Sequence, residues 1–459
     1  GVQLAWAVQI SYVSATLISL GLAEDLVNYT WLAGPLSGTV VQPLVGVYSD
    51  LCSHPSGRRR IFTVVGTVFS VVGLLGFGSA QQIGYWFGDT DDDHSAGLAL
   101  AIFFFFFMDF AINTAQGPLY ALLADTVEEK YHSQGNAFFA MHNGLGKTVG
   151  YGLGAISLRT IFLFCFFKSN VQALYTLAAI VAVVTCSMTV LNVPEIPFVP
   201  PEDFQYPSVS KVVTKIWNAC MDLPLPISRA FMVQSCAYLA WYTTYIYGST
   251  WMALVVFRGD SQQGSPGYQD YELGVEAASL GYMGMAAISV LWGLLLPLVG
   301  QFAGVRMTWS LNLVIFALIL YLSYFVEPGQ KGYAIFLLAM LGFPLGASYQ
   351  IPWSIVTVMT LQTPEKKGLY STIYNLCQCL TEFIVALIGG YIIDINNQIE
   401  SIFLLGSAAA ALGAVLCIFI IEPKGLYGHS PDFTPPCCAN GPYRTRTATG
   451  REDLLENVH

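Results

Sequence analysis

The apolar residues of this chain are gathered into runs of bilayer length parted by short polar stretches, and that spacing leaves few folds open. A helix of about 20 apolar residues matches the hydrocarbon thickness of a bilayer. Runs of this kind stand near residues 1–22, 30–50, 61–87, 97–125, 136–157, 171–193, 228–257, 275–300, 307–326, 332–361, 368–394 and 399–422. Inside lipid each backbone polar group must be satisfied within its own segment, so each run is expected to be a transmembrane helix. Charge agrees: Asp, Glu, Lys and Arg make up 10% of the 459 residues, against 54% hydrophobic. Soluble domains carry about 25% charged residues. A cytosolic enzyme, a nucleic-acid binder and a disulfide-stapled secreted domain are excluded, and a lipid bilayer is the implied surrounding.

The longest internal polar stretch, 194–227, divides the chain. The expected organisation is an N-terminal six-helix bundle (1–193), a central loop (194–227), a C-terminal six-helix bundle (228–422) and a polar tail (423–459) expected to be disordered. Arg58, Arg59, Arg60, Lys130, Lys211, Lys215, Arg229, Arg306, Lys366 and Lys367 fall at even-numbered loops, and Lys424, Arg444, Arg446 and Arg451 lie in the tail. Only Arg159, Lys168, Arg258 and Lys331 fall at odd-numbered loops. Positive charge accumulates on the cytoplasmic side, so both termini and the central loop are expected there, in a plasma or organelle membrane. The acidic Asp89–Asp93 stretch and a sequon at Asn28-Tyr-Thr30 then face the other side. Gly1 already lies inside an apolar run, and a preceding native segment is expected. No Cys/His spacing reads as a metal site, and Cys437-Cys438 in the tail is a candidate for palmitoylation.

Six spans plus six invite a search for a repeat. Gly46-Val-Tyr-Ser-Asp50 with Gly57–Arg60 follows the second span, and Gly300–Arg306 stands as a worn copy after the eighth. Two six-helix halves related by an axis along the membrane normal, with a site between them, describe the major-facilitator fold. Asp50 with Arg58, Arg59 and Arg60 places a carboxylate and guanidinium forks at one turn, a candidate gate at the cytoplasmic end. Simple topology-setting charge is the alternative.

Ionisable groups within apolar spans are costly, which makes each a functional candidate. In the fourth span Asp109, Asn113, Gln116 and Tyr120 recur at i, i+4, i+7 and i+11, one face of a helix. A carboxylate so placed is suited to pick up and release a proton, and the amides beside it can bond to hydroxyls. Asn143 and Lys147 form an i, i+4 pair in the fifth span, with Asp109 the expected partner of the lysine. Asn375, Gln378 and Glu382 make a second polar face in the eleventh, with Glu382 a second proton-site candidate. Each of these groups could instead only tie neighbouring helices together.

Aromatic rings can stack on the C–H faces of a pyranose. Trp6 and Gln9 lie one turn apart in the first span, and Trp241 and Tyr245 in the seventh. Tyr349 and Gln350 follow Pro344 and Gly346 in the tenth, where a broken helix is expected to free backbone for a ligand. Core packing explains any one of these rings. Their joint placement on spans 1, 4, 7 and 10 points to a central cavity in this architecture.

These residues resemble the plant sucrose–proton symporters and their relatives, in the glycoside–pentoside–hexuronide–cation symporter group. The likeness runs from Gly1 to about Glu422, through Gly1–Gln9, Trp31–Gly38, Val41–Pro43, Gly57–Arg60, Asp109–Pro118, Asn136–Phe139 and Gly150-Tyr151. It continues in Trp251-Met252, Gly274-Val275, Leu280-Gly281 and Gly342–Leu345. The resemblance implies that Asp109 carries the coupled proton. The chain departs from that family at Tyr120 (arginine there), Lys147 (asparagine), Gly248 and Thr250 (acids) and Glu382 (glutamine).

The expected function is a secondary transporter, not an enzyme, moving a sucrose-like disaccharide or glycoside with a proton as coupling ion. No cofactor and no metal are expected, no nucleic acid is a partner, and the protein is expected to act as a monomer. Asp109, Lys147 and Glu382 are the proton-coupling candidates; Trp6, Gln9, Asn113, Gln116, Asn143, Trp241, Tyr245, Tyr349, Gln350, Asn375 and Gln378 are the sugar-site candidates. A uniporter without proton coupling, and a non-transporting sensor or subunit of a larger membrane complex, are the rival readings.

Overall fold

The computed structural model describes residues 1–421 except 92, 128–131, 162–163, 196–197, 200–207, 360–366 and 397. The tail expected to be disordered, Cys437-Cys438, and Lys130 and Lys366 lie outside the described residues. Among the described residues all regular structure is helical. Eight helices are long and apolar enough to cross a bilayer by themselves. Spans 1, 3, 4 and 6 are Val2–Ser19, Arg60–Gly78, Ser95–Thr126 and Asn170–Asn192. Lys331–Met359 forms span 10, Lys367–Asn396 span 11 and Ser401–Leu416 span 12. Span 5 (His132–Gly154) and span 7 (Leu225–Trp251) are helical but more polar, and span 2 (27–50) is a chain of short helices.

Spans 8 and 9 come from one continuous helical stretch, Tyr268–Tyr324, that folds over at Gly304. Gly304 sits at φ 78°, ψ 161°, a backbone conformation open to glycine and closed to most L-residues. Trp292 Nε1 donates to Asn312 Oδ1 at 3.0 Å, though 20 residues separate them. A straight helix would hold them about 30 Å apart, so the chain has doubled back. Gly57, at φ 117°, turns the chain at the corresponding place of the first half.

Span 2 owes its irregularity to proline. Pro43 has no N–H to return to the preceding turn. Just before it the ladder widens to a π-helical stretch, Ser37–Val41, in which the Gln42 N–H reaches back five residues to the Ser37 carbonyl. Such bulges recur at functional sites. Span 10 was expected to break at Pro344 and Gly346. It breaks instead at Leu341, and Pro344 falls in the first turn of the next segment, where its missing N–H has no intrahelical partner to lose. Gly346 is pressed against the Ser289 carbonyl of span 8, so no backbone is freed there for a ligand. The central stretch is not all loop: Ser208 caps a helix, Val209–Met221, that packs on span 11 with Val212 buried and Val209, Val213, Trp217 and Met221 exposed.

Helix pairings repeat when six is added to each span number. Span 1 packs on 5, with Tyr12 OH donating to Gly154 O at 2.6 Å, and 7 packs on 11, with Gln378 Nε2 donating to Tyr242 OH at 2.9 Å. Gln172 Nε2 and Ser79 Oγ join the outer ends of spans 6 and 3. Ser310 Oγ and Ser407 Oγ join 9 and 12 through the carbonyls of Ala414 and Ala317. The seams between halves, 5 with 8 and 2 with 11, exchange under the same rule. Both halves run in the same direction, the geometry of a parallel repeat.

The end carrying Asp89–Asp93 is sewn shut between halves. Ser14 Oγ donates to Ile246 O at 2.7 Å, Tyr271 OH to Ala15 O at 2.8 Å, and Gln81 Nε2 to Gln263 Oε1 at 2.6 Å. Asn28 of the sequon is wholly buried in that seam with its Nδ2 on Ala386 O, closed to glycan attachment.

Small residues set the closest approach inside a half. Gly66 of span 3 lies against the backbone of Ala111 and Ala115 on span 4, and Gly73 against Met108. Gly66→Leu must drive the two helices apart, and overpacking of this kind costs about 1–3 kcal/mol or more. The expected outcome is a lowered melting temperature or loss of the monodisperse peak on size exclusion in detergent; an unchanged melt would refute the contact.

Candidate functional site

Near the middle of span 4 the Asp109 carboxylate is buried, and its Oδ2 accepts a hydrogen bond from Ser37 Oγ at 2.6 Å. Asn113 Nδ2 donates to the same hydroxyl at 2.8 Å and to the Asp109 carbonyl at 3.1 Å. The polar stripe read along span 4 is therefore divided between two neighbours. Its outer pair, Asp109 and Asn113, engages span 2. Its inner pair engages span 1: Trp6 Nε1 donates to Gln116 Oε1 at 2.7 Å and Gln3 Nε2 to Tyr120 OH at 3.4 Å.

The expected Asp109–Lys147 ion pair is absent. Lys147 Nζ crosses to the other half, donating to Tyr349 OH at 3.0 Å and sitting 4.4 Å from that ring's centroid. Phenol and π-face give a half-buried ammonium a partner with no carboxylate. Periodicity placed Lys147 on the right helix but could not choose between two facing surfaces. Tyr349 and Tyr120, on opposite halves, are both more than a third exposed.

Glu382 of span 11 is buried, with Tyr242 and Asp109 among its neighbours. Gly34 of span 2 leaves room for the Glu382 carboxyl, which any side chain there would strike. Asn375 Nδ2 donates to Gly38 O at 3.0 Å, so span 2 is gripped from both halves within one turn. Gln378 is committed to Tyr242, and Tyr242 thereby links that amide to the Glu382 acid.

Trp241 does not present a stacking face. It is buried between Tyr245, stacked at 5.4 Å, and Phe316 at 4.3 Å, with Nε1 donating to Ser348 Oγ at 3.2 Å. Its partner Tyr245 is half-buried. Tyr238, Tyr374 and Tyr151 are buried nearby, with Tyr238 OH donating to Tyr374 OH at 2.8 Å. Gln9 is completely buried, and both polar atoms of its amide are without a partner; Gln350 Oε1 is likewise unpartnered. Asn143 is half-buried and makes no hydrogen bond among the described residues.

At the opposite turn the arginines divide their work. Arg59, only 5% exposed, pairs with Asp50, with Asp125 Oδ2 at 3.0 Å and with Ser49 Oγ at 2.8 Å. Arg58 pairs with Asp125 Oδ1 at 2.7 Å rather than with Asp50, and Arg60 Nη2 donates to Val193 O at 2.6 Å. Glu195 Oε2 accepts from the backbone N–H groups of Arg59 and Arg60 at 2.8 and 3.2 Å. This network joins spans 2, 3, 4 and 6 of one half, not the two halves to each other. Asp125 and Glu195 escaped the sequence reading, although acids beside a basic turn were the available signal.

Two parallel six-helix halves around a buried polar seam define a membrane transporter and not an enzyme. The chain belongs to the Major Facilitator Superfamily, whose sequence profile matches residues 2–386. It is 26% identical over 465 residues to sucrose transport protein SUT5 of Oryza sativa subsp. indica, covering 93% of this chain and 86% of that one. It is 25% identical over 476 residues to sucrose transport protein SUC3 of Arabidopsis thaliana, covering 85% and 80%. The fold matches the D-xylose–proton symporter (TM-score 0.61, 13% identity, 92% of this chain and 98% of that one). It also matches the nucleoside transporter NupG (TM-score 0.60, 13% identity, 92% of this chain and 98% of that one).

Removing one partner from a buried ion pair costs about 3–5 kcal/mol, whereas an exposed pair contributes at most about 1 kcal/mol. Arg59→Gln should therefore lower the melting temperature much more than Arg58→Gln, whose ion pair is partly exposed. Equal effects in a thermal-shift comparison would contradict the network.

Proposed function

We propose that the chain carries a sugar, a sucrose-like disaccharide or glycoside, together with a proton by alternating access of its two halves. The observation that carries this reading is the Asp109 site: a carboxylate buried at mid-membrane, held by a serine and facing a second acid, with no cation paired to it among the described residues. Such a group can exist charged or neutral, and the gain or loss of one proton changes its bonding to the surrounding helices. The plant relatives named as sucrose transport proteins supply the substrate class.

The moving bodies are residues 1–193 and 228–422, and the termini and the Arg58–Arg60 turn face the cytoplasm. Asp109 is the proton carrier and Glu382 its counterpart on the other half. The unpartnered amide of Gln9, with Asn143, Gln116 and Gln350, supplies hydrogen bonds to sugar hydroxyls. Tyr245 and Tyr349 supply ring faces, and Trp6 positions Gln116. Lys147 ties the halves through Tyr349 across the cleft instead of neutralising Asp109. The Arg59 cluster braces one half at its cytoplasmic turn while the other swings.

In proteoliposomes carrying an internal pH dye, addition of sucrose or a related glycoside should acidify the lumen. Asp109→Asn should abolish that signal while the variant keeps its elution profile. Sugar entry with no proton movement in the wild type would overturn proton coupling, and no flux of any glycoside would overturn the sugar reading.

A further inference from the structure

We propose that Ser37 is the positioning residue of the proton step, its hydroxyl pointing to Asp109 when that carboxylate is charged and to the Gly34 carbonyl when it is protonated. The proposal rests on the proton-coupled reading of Asp109. Ser37 Oγ has two acceptors within reach, Asp109 Oδ2 at 2.6 Å and Gly34 O at 3.0 Å, and one hydrogen to give. It also accepts from Asn113 Nδ2 at 2.8 Å, which leaves one further lone pair free.

In both protonation states the Ser37 hydroxyl then keeps a partner for its hydrogen, and Asp109 Oδ2 keeps its bond to Ser37. With Asp109 charged, Ser37 donates to it. When a proton arrives on Oδ2, the acid donates to the free lone pair of Ser37 Oγ, and the serine hydrogen turns to Gly34 O. No covalent bond changes except the O–H formed at Asp109, and the hydroxyl turns about its own C–O bond. A buried site that must gain and lose a proton needs this property, because an unsatisfied polar group there is costly in either state.

The serine is also placed to pass the change onward. Gly34 abuts the Glu382 carboxyl, and Gly38 O is held by Asn375, both on span 11 of the other half. Ser37 opens the π-helical stretch, where the ladder is already loosened. The titratable groups facing Asp109 are Glu382 and Cys379 of span 11, and span 2 contributes the hydroxyl alone among the described residues. Five residues of span 2 therefore connect the proton carrier of one half to the acid of the other.

The test is infrared difference titration of the purified protein in lipid without sugar, the Asp109 band being identified as the one lost in Asp109→Asn. Hydrogen bonds to charged groups are strong enough that Ser37→Ala should let the protonated-carboxyl band persist to a pH about one to two units higher. Ser37→Thr, which keeps the hydroxyl, should restore the wild-type midpoint. In vesicles Ser37→Ala should slow net proton-coupled sucrose uptake while sparing sucrose exchange, which needs no proton release. A folded Ser37→Ala with an unmoved band, or a shift that Ser37→Thr does not reverse, overturns the switch and leaves the transport reading standing. Absence of any titrating band that depends on Asp109 overturns both.

Discussion

A carboxylate set at mid-membrane must be held by something, and here one serine hydroxyl from the neighbouring span does it. The rest of the central architecture follows from that bond. Ser37 reaches Asp109 from a widened helical turn, and the turn is widened beside Pro43. That turn lies against span 11 because Gly34 and Gly38 present no side chain to Glu382 and Cys379. Two glycines and a proline thus bring two acids from different halves toward one another.

The halves are joined at the Asp89 end, and the polar contacts of the molecule are distributed accordingly. At the sewn end, the buried carbonyls of Ile246 and Ala15 accept hydroxyls from the opposite half, and two glutamine side chains meet across the seam. Such bonds are individually modest and can be exchanged, as a closing and opening seam requires. Within the spans, Lys147 meets a tyrosine of the other half, where an ion pair would have been harder to break. The strong charge pairs are kept within one half, around Arg59, where no motion between halves disturbs them.

Where reading along the chain succeeded and where it failed has a common cause. Periodicity in span 4 identified Asp109, Asn113, Gln116 and Tyr120 as one stripe, since helical repeat alone puts them there. It could not see that two neighbours share the stripe, nor that Ser37 is the residue Asp109 touches. Trp241 and Tyr245 show the same limit: one turn apart on a helix, one is sealed against Phe316 and the other stays partly open. Lys147 was assigned to Asp109 by charge alone, and the fold gave it a phenol. The fold at Gly304 lay within a noticed repeat, yet its left-handed backbone is visible only in three dimensions.

The amino-acid order by itself determined that this chain lives in a bilayer, has two six-helix halves, and buries acids and amides on particular helical faces. Those properties depend on composition, run length and a 3.6-residue period, all of them local. Tertiary structure alone decided which buried groups meet: Asp109 with Ser37, Glu382 with Tyr242, Arg59 with Asp125, Lys147 with Tyr349. A helix face offers its side chains to several neighbours at once. Which neighbour answers depends on close packing between spans far apart in sequence, and no local pattern encodes that choice.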